Sequence, residues 1–111
     1  MKVGVIGSRV FNNYELVVKT LSNFDITLII SGGAIGADTL GEKYANEHNI
    51  PILIFKPDWE MYGKSAGMIR NTDIVDNSDV IVAFWDGTSK GTLDSIKKAE
   101  KRGKKVLVIT K

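Results

Sequence analysis

The sequence predicts an α/β fold in which a parallel sheet is covered by helices on both faces. Three observations carry that prediction. Five short Val/Ile-rich runs are apolar on both faces, the pattern of strands buried on two sides. Helix-like stretches separate them, which argues for right-handed βαβ crossovers. Most of the runs stop in glycine and hydroxyl residues, as strands do where they meet a turn into a helix.

The elements follow in order. Lys2 to Ile6 is the first strand and ends in Gly7-Ser8-Arg9, and Tyr14 to Leu21 spaces Leu16, Val17, Val18 and Leu21 as a helix does. Ile26 to Ile30 is the second strand and ends in Ser31-Gly32-Gly33. A helix over Ile35 to Asn49 puts Ala37, Leu40, Tyr44 and Ala45 on one stripe, with Gly41 inside it as an oddity. Pro51 to Phe55 is the third strand, Met68 to Asn77 a helix after a Gly-containing turn, and Val80 to Phe84 the fourth strand. A last helix over Thr92 to Lys101 stops at Gly103, a natural C-cap position, before a fifth strand over Val106 to Ile109. Five strands and four helices make a Rossmann-like three-layer sandwich, and the expected strand order is 3-2-1-4-5. Its topological switch point falls between the first and fourth strands, and ligands of such sheets sit beyond the carboxyl ends there.

Composition narrows the chemistry. The 111 residues, 43% hydrophobic and 25% charged, suit one domain over residues 1–111 that buries roughly 65% of its unfolded surface. With no cysteine, disulfides, thiol nucleophiles and thiolate metal sites are excluded, and the lone His48 excludes a His-rich metal centre. Neither a bound metal nor a cofactor is therefore expected. Apolar runs such as Ile26 to Ile30 are far short of the ~20 residues a membrane span needs, and the Met1 to Gly7 start lacks a signal-peptide pattern. The expectation is a soluble cytoplasmic protein without a membrane partner. The net charge of +2 hides a basic end: Lys97 to Lys111 holds seven Lys/Arg and one acid. Without interleaved aromatics that cluster reads as a solvated last helix whose cations suit its dipole, so a nucleic-acid partner is not expected.

Four segments at the expected carboxyl edge carry the candidate site. Gly7-Ser8-Arg9 offers a tight turn, a hydroxyl and one of three arginines in the chain. Ser31-Gly32-Gly33-Ala34-Ile35-Gly36-Ala37-Asp38 lets backbone approach a ligand and opens a helix whose free N–H groups favour an anion. It matches neither the dinucleotide fingerprint nor the lysine-bearing phosphate loop. Asp38 there either caps the helix or binds ribose hydroxyls. In the third segment, Trp59 to Asn71, Gly67 precedes Arg70 by three residues and puts that cation in the first turn of a helix. A cation at that end opposes the helix dipole, which points to an anionic partner for Arg70, with Asn71 beside it. The fourth segment, Trp85-Asp86-Gly87-Thr88-Ser89-Lys90-Gly91-Thr92, is a second anion cradle with Thr88, Ser89 and Thr92 as hydroxyl donors. Trp85 either stacks on a base or covers the sheet edge, and Asp86 reads as a turn residue. Together the four predict one crevice for a phosphorylated, nucleotide-like small molecule.

In the same order, Gly7-Ser8-Arg9, Ser31-Gly32-Gly33-Ala34 with Gly36-Ala37-Asp38, Trp59 through Asn71, and Asp86-Gly87 with Ser89-Lys90-Gly91-Thr92 resemble the SLOG superfamily, in its small bacterial and phage YspA/YpsA-like branch. The resemblance covers essentially the whole chain, and Trp-x-x-Tyr-Gly-Lys-x-Ala-Gly-x-x-Arg-Asn is its most specific part. It implies a nucleotide-ligand-binding domain whose relatives include lonely-guy phosphoribohydrolases, single-strand DNA-binding DNA-processing proteins and sensors of NAD-derived signals. Gly32, Gly33, Gly91 and Thr92 match phosphate-cradle positions and Arg70 the arginine of the helix-opening motif. Self-association as a homodimer through exposed helices is implied as well. One departure matters: where the phosphoribohydrolases carry Glu after Gly-x-Gly-Thr-x-x, this chain has Ser95, and Asp94 one residue earlier is turned about 100° around the helix.

The first reading is therefore a binder or sensor of an ADP-ribose, NAD or nucleoside-monophosphate type ligand. The alternatives are an N-glycosidase acting on nucleoside monophosphates and a single-strand nucleic-acid-binding module. The N-glycosidase would draw its carboxylate from Asp38, Glu42 (one turn deeper on the same helical face) or Asp94.

Overall fold

A computed structural model describes residues 1–110. Lys111, counted above in the basic end, lies outside the described residues. The sheet has five parallel strands in the order β3-β2-β1-β4-β5. The strands are β1 (Lys2–Gly7), β2 (Leu28–Ser31), β3 (Ile52–Ile54), β4 (Val80–Phe84) and β5 (Lys105–Ile109). The helices are α1 (Tyr14–Leu21), α2 (Ala37–Glu47), α3 (Trp59–Tyr62), α4 (Ala66–Asn77) and α5 (Lys90–Lys101), with one 3-10 turn at Gly63–Ser65. The strand order and all-parallel pairing match the expectation. No helix among the described residues is long and apolar enough to cross a membrane.

Alternation along the central strands splits the core in two. Val3, Val5, Ile29, Val80, Val82 and Phe84 face Val17 and Leu21 of α1 and Ala37, Tyr44 and Ala45 of α2. Ile6, Ile30, Ile81 and Ala83 face Ile74 and Val75 of α4 and Ile96 and Ala99 of α5. Every residue of β4 is buried, and each such Val or Ile contributes about 1.5–3 kcal/mol on leaving water. Gly41 is explained by the first layer: a Cβ there would stand 2.8 Å from Cγ1 of Val5. The glycine lowers helix propensity by about 1 kcal/mol and lets α2 lie directly on β1.

Several boundaries differ from the sequence reading. The second helix starts at Ala37 rather than Ile35, because Gly36 at φ +83° turns the chain just before it, and Asn49 at φ +56° lies beyond its end at Glu47. The fourth helix begins at Ala66, not Met68, and the last at Lys90, not Thr92, where Ser89 caps it by accepting from the Thr92 amide. The second strand runs Leu28–Ser31 and the third shortens to Ile52–Ile54. The short α3 was not expected, since four residues are too few for a periodicity. Cover on both faces also fails at the two edges: Leu53, Ile54, Leu107 and Val108 are each more than a third exposed. Four long helices cannot roof five strands on both sides.

Candidate functional site

The register sets the carboxyl end of β1 beside that of β4, with Gly7 opposite Phe84. Ser8 follows directly and is buried at the junction of three connections. Its amide donates to the Phe84 carbonyl, its carbonyl accepts from the Ala37 amide at the start of α2, and its hydroxyl accepts from the Asp86 amide. Gly36 makes this convergence possible, because a Cβ there would fall 2.3 Å from the Ser8 oxygen. Ser8, which the sequence offered as a ligand hydroxyl, is thus a brace and lines neither of the two cavities at this edge.

Asp38 enters the crevice from the first turn of α2. Its carboxylate does not cap its own helix. Oδ2 instead accepts from the amides of Gly32, at 3.0 Å, and Ala34, at 3.3 Å, and so shapes the glycine turn after β2. Burial pushes its carboxyl from 3.8 up to about 6, against the pull of those amides and of Arg70, while Glu42 adds to the rise. Ser31 is equally committed, donating to Glu42 at 2.7 Å and accepting from the Gly33 amide.

Arg70 lies in the second turn of α4, not the first, since α4 starts at Ala66. Its Nη1 donates to the Gly32 carbonyl at 2.9 Å and its Nε to Asn71 Oδ1 at 3.0 Å. The partner that the sequence reading sought in a ligand is thus partly supplied by the chain itself. Asn71 passes the link on: its Nδ2 donates to the Gly91 carbonyl and to Asp94, which also takes Lys98 at 2.8 Å. Asp86 closes the turn after β4. Its carboxylate accepts from the amides of Thr88 and Ser89, which draw its carboxyl from 3.8 down to about 2.

Two cavities meet over these residues. The first, about 250 Å³, is lined by Ile6, Gly7, Arg9, Ala34, Asp38, Arg70, Asn71, Ile74 and the start of α5 with Ser89, Gly91, Thr92 and Ser95. The second, about 570 Å³, is lined by Arg9, Gly32, Gly33, Ala34, Ile35, Lys56, Pro57, Trp59 and Arg70. Joined through Arg9, Ala34 and Arg70, they reach the range of 300–1,000 Å³ usual for small-molecule sites. At the start of α5 the Thr92 amide is taken by the Ser89 hydroxyl, and Gly91 and Thr92 line the smaller cavity. Arg9 is exposed, lines both cavities, and its guanidinium has no hydrogen bond or ion pair among the described residues.

Gly7, Arg9, Gly32, Gly33, Asp38, Arg70, Asn71, Ser89, Gly91 and Thr92 therefore gather around one crevice, as their places at the carboxyl edge predict. Ser8, Ser31 and Gly36 sit behind it. Gly87 and Thr88 lie outside, in the exposed Asp86 turn. Trp85 is not in the crevice either: its ring packs on the second core layer and its Nε1 donates to the Ser89 carbonyl at 3.0 Å. Glu42 and Asp94 line neither cavity and are held by Ser31 and by Asn71 with Lys98. Of the basic end, Lys98 and Arg102 are paired with Asp94 and Asp76. Sequence reasoning did not select Lys56 and gave no role to Ile35 or Trp59 within their candidate segments, yet all three stand around the larger cavity. A tryptophan three residues beyond a lysine, in a segment too short to bury it, was the available signal.

Residues 1–62 match the model of the YAcAr family, described as the YspA, cpYpsA-related SLOG family. This chain belongs to that family. The Gene 61 protein of Mycobacterium phage D29 is 32% identical to it over 114 residues, covering 92% of this chain and 90% of that protein. No solved structure matches. Membership of this SLOG family suggests binding or processing of a nucleotide-related ligand. The matched span holds the Gly7 turn, the Ser31–Asp38 turn and Trp59, while Arg70 and the start of α5 come from the part of the chain beyond it.

Proposed function

We propose that this protein binds a nucleotide or nucleotide-derived small molecule of the ADP-ribose, NAD or nucleoside-monophosphate type at the carboxyl edge of its sheet, as a sensor or sequestering protein. The observation that carries the reading is the placement of Arg9, Arg70 and the start of α5 around one cavity at the β1/β4 switch point. A phosphate there meets two planar guanidinium groups beside a helix start, and a guanidinium fork is the donor best matched to it. Ser95 stands where related hydrolases place a glutamate, and it is buried against the cavity floor without acid chemistry to offer.

Calorimetric titration with AMP, ADP-ribose and NAD tests the reading. At least one ligand binds, and Arg9→Ala weakens it by about 1.5–3 kcal/mol, the loss of a charge-assisted contact. Arg9 is a cleaner probe than Arg70, whose removal also frees the Gly32 carbonyl. Equal affinity in wild type and Arg9→Ala removes the crevice from the binding reaction.

Asp38 supports a second reading, an N-glycosidase acting on nucleoside monophosphates. It is the one candidate carboxylate that lines the cavity, and a carboxyl near 6 suits proton transfer near neutral pH. Release of free base from a monophosphate, abolished by Asp38→Asn, is the required result.

A further inference from the structure

Trp59 is an aromatic ring with no place in the core. It is 57% exposed, and no residue of α3 or of the turn Gly63–Ser65 is buried. A large apolar ring left in water on a well-formed segment calls for a partner. The segment is well formed: Asp58 caps α3 by accepting from the Met61 amide at 3.1 Å. The tip of the indole lies over α4, its Cη2 3.7 Å from the place a Cβ would take on Gly67. Trp85, the other tryptophan of the chain, is committed to the core and to the Ser89 carbonyl.

The surroundings define what would lie on Trp59. The larger cavity has apolar Ile35 and Pro57 in its wall, and its charged lining residues are Arg9, Lys56 and Arg70. No carboxylate lines it, whereas the smaller cavity carries Asp38. A cationic rim beside an apolar, aromatic wall fits a planar uncharged ring tethered to a phosphate.

We infer that Trp59 is the stacking platform for the ligand's nucleobase, so that the larger cavity is the base subsite and the smaller one, at the start of α5, the phosphate subsite. The inference rests on the nucleotide reading above and adds the residue that tells a base-bearing ligand from a bare sugar phosphate. Arg9 and Arg70, shared by both cavities, hold the linking phosphates in this arrangement.

The test compares AMP and ADP-ribose with ribose 5-phosphate, which has no base. In a Trp85→Phe protein, where Trp59 is the remaining tryptophan, AMP or ADP-ribose quenches the emission and ribose 5-phosphate does not. Trp59→Ala lowers affinity for the base-bearing ligands about tenfold or more and leaves ribose 5-phosphate unchanged, and Trp59→Phe keeps most of the affinity. Calorimetry on the Trp85→Phe protein confirms that the fluorescence protein binds as wild type does. Base-bearing ligands that bind equally well with and without Trp59 overturn this inference and leave the nucleotide reading standing. A wild-type protein that binds none of the three, nor NAD, overturns both.

Discussion

Two aspartates at the same edge of the sheet face opposite ways in their acid chemistry. Asp38 and Asp86 each accept two backbone amides in a turn after a strand. Amide donors stabilise a carboxylate, and by that count both carboxyls should be strong acids. Asp86 is, drawn down to about 2 in a fully exposed turn, yet Asp38 is pushed up to about 6. Water decides between them. Asp38 is 6% exposed, and the cost of removing its charge from water exceeds the help of two amides and the Arg70 field combined. Equal hydrogen bonding thus yields a group for holding a turn in one place and a group that can change charge near neutral pH in the other.

The sharpest way to break this contrast is Asp38→Asn, which keeps an oxygen acceptor and removes the charge. Folded Asp38 holds its proton more tightly than the unfolded chain does. Its stabilising effect is therefore full below about pH 4 and lost as pH rises through 6. Denaturant unfolding from pH 4 to 7 should show Asp38→Asn gaining on wild type by on the order of 3 kcal/mol across that window. A constant difference between the two proteins would mean that Asp38 ionises as an ordinary aspartate.

A smaller effect belongs to ligand binding. ADP-ribose, whose pyrophosphate does not titrate in this range, should bind wild type more tightly as pH falls through about 6, roughly tenfold in total. Asp38→Asn should show a flat profile at the tighter level, measured by calorimetry at four or five pH values.

The smallest effect is expected at Asp86. Its folded carboxyl lies below its unfolded value, so its contribution is present above about pH 4 and lost as pH falls toward 2. Wild type should exceed Asp86→Asn in thermal stability at neutral pH by a slight margin that vanishes in acid. A margin that grew in acid would reverse the sign assigned to this turn.

The sheet was legible because its cause is local: runs apolar on both faces must be covered, and glycine turns mark where they stop. Exposure of Leu53 and Leu107 was not legible, since an edge strand and a central one can share a composition. The gathering of Arg9, Asp38, Arg70 and Gly91 followed from their common place after strands. Their partners did not: Arg70 to the Gly32 carbonyl and Asn71 to Gly91 cross from one connection to another, and Asp38 reaches back within its own connection to Gly32, which no periodicity marks. Asp94 is the exception, for Lys98 four residues later was a visible i, i+4 partner. Trp59 and Trp85 show the limit most plainly. The same side chain is core brace in one and solvent-facing ring in the other, and only the packing of α3 against α4 separates them.

Ser8 has a mechanical consequence. Three of its hydrogen bonds rivet together the end of β1, the start of α2 and the turn leading to α5, so that side of the crevice is a fixed jaw. The opposite jaw, from Lys56 through Ser65, buries none of α3 and is anchored just before its start by the Phe55 amide on the Ser31 carbonyl and just after its end by α4. The side lined by the start of α5 is tied across several connections, and the side lined by Trp59 is not. A crevice built that way has one wall whose dimension the fold sets and one whose side chains the core does not hold.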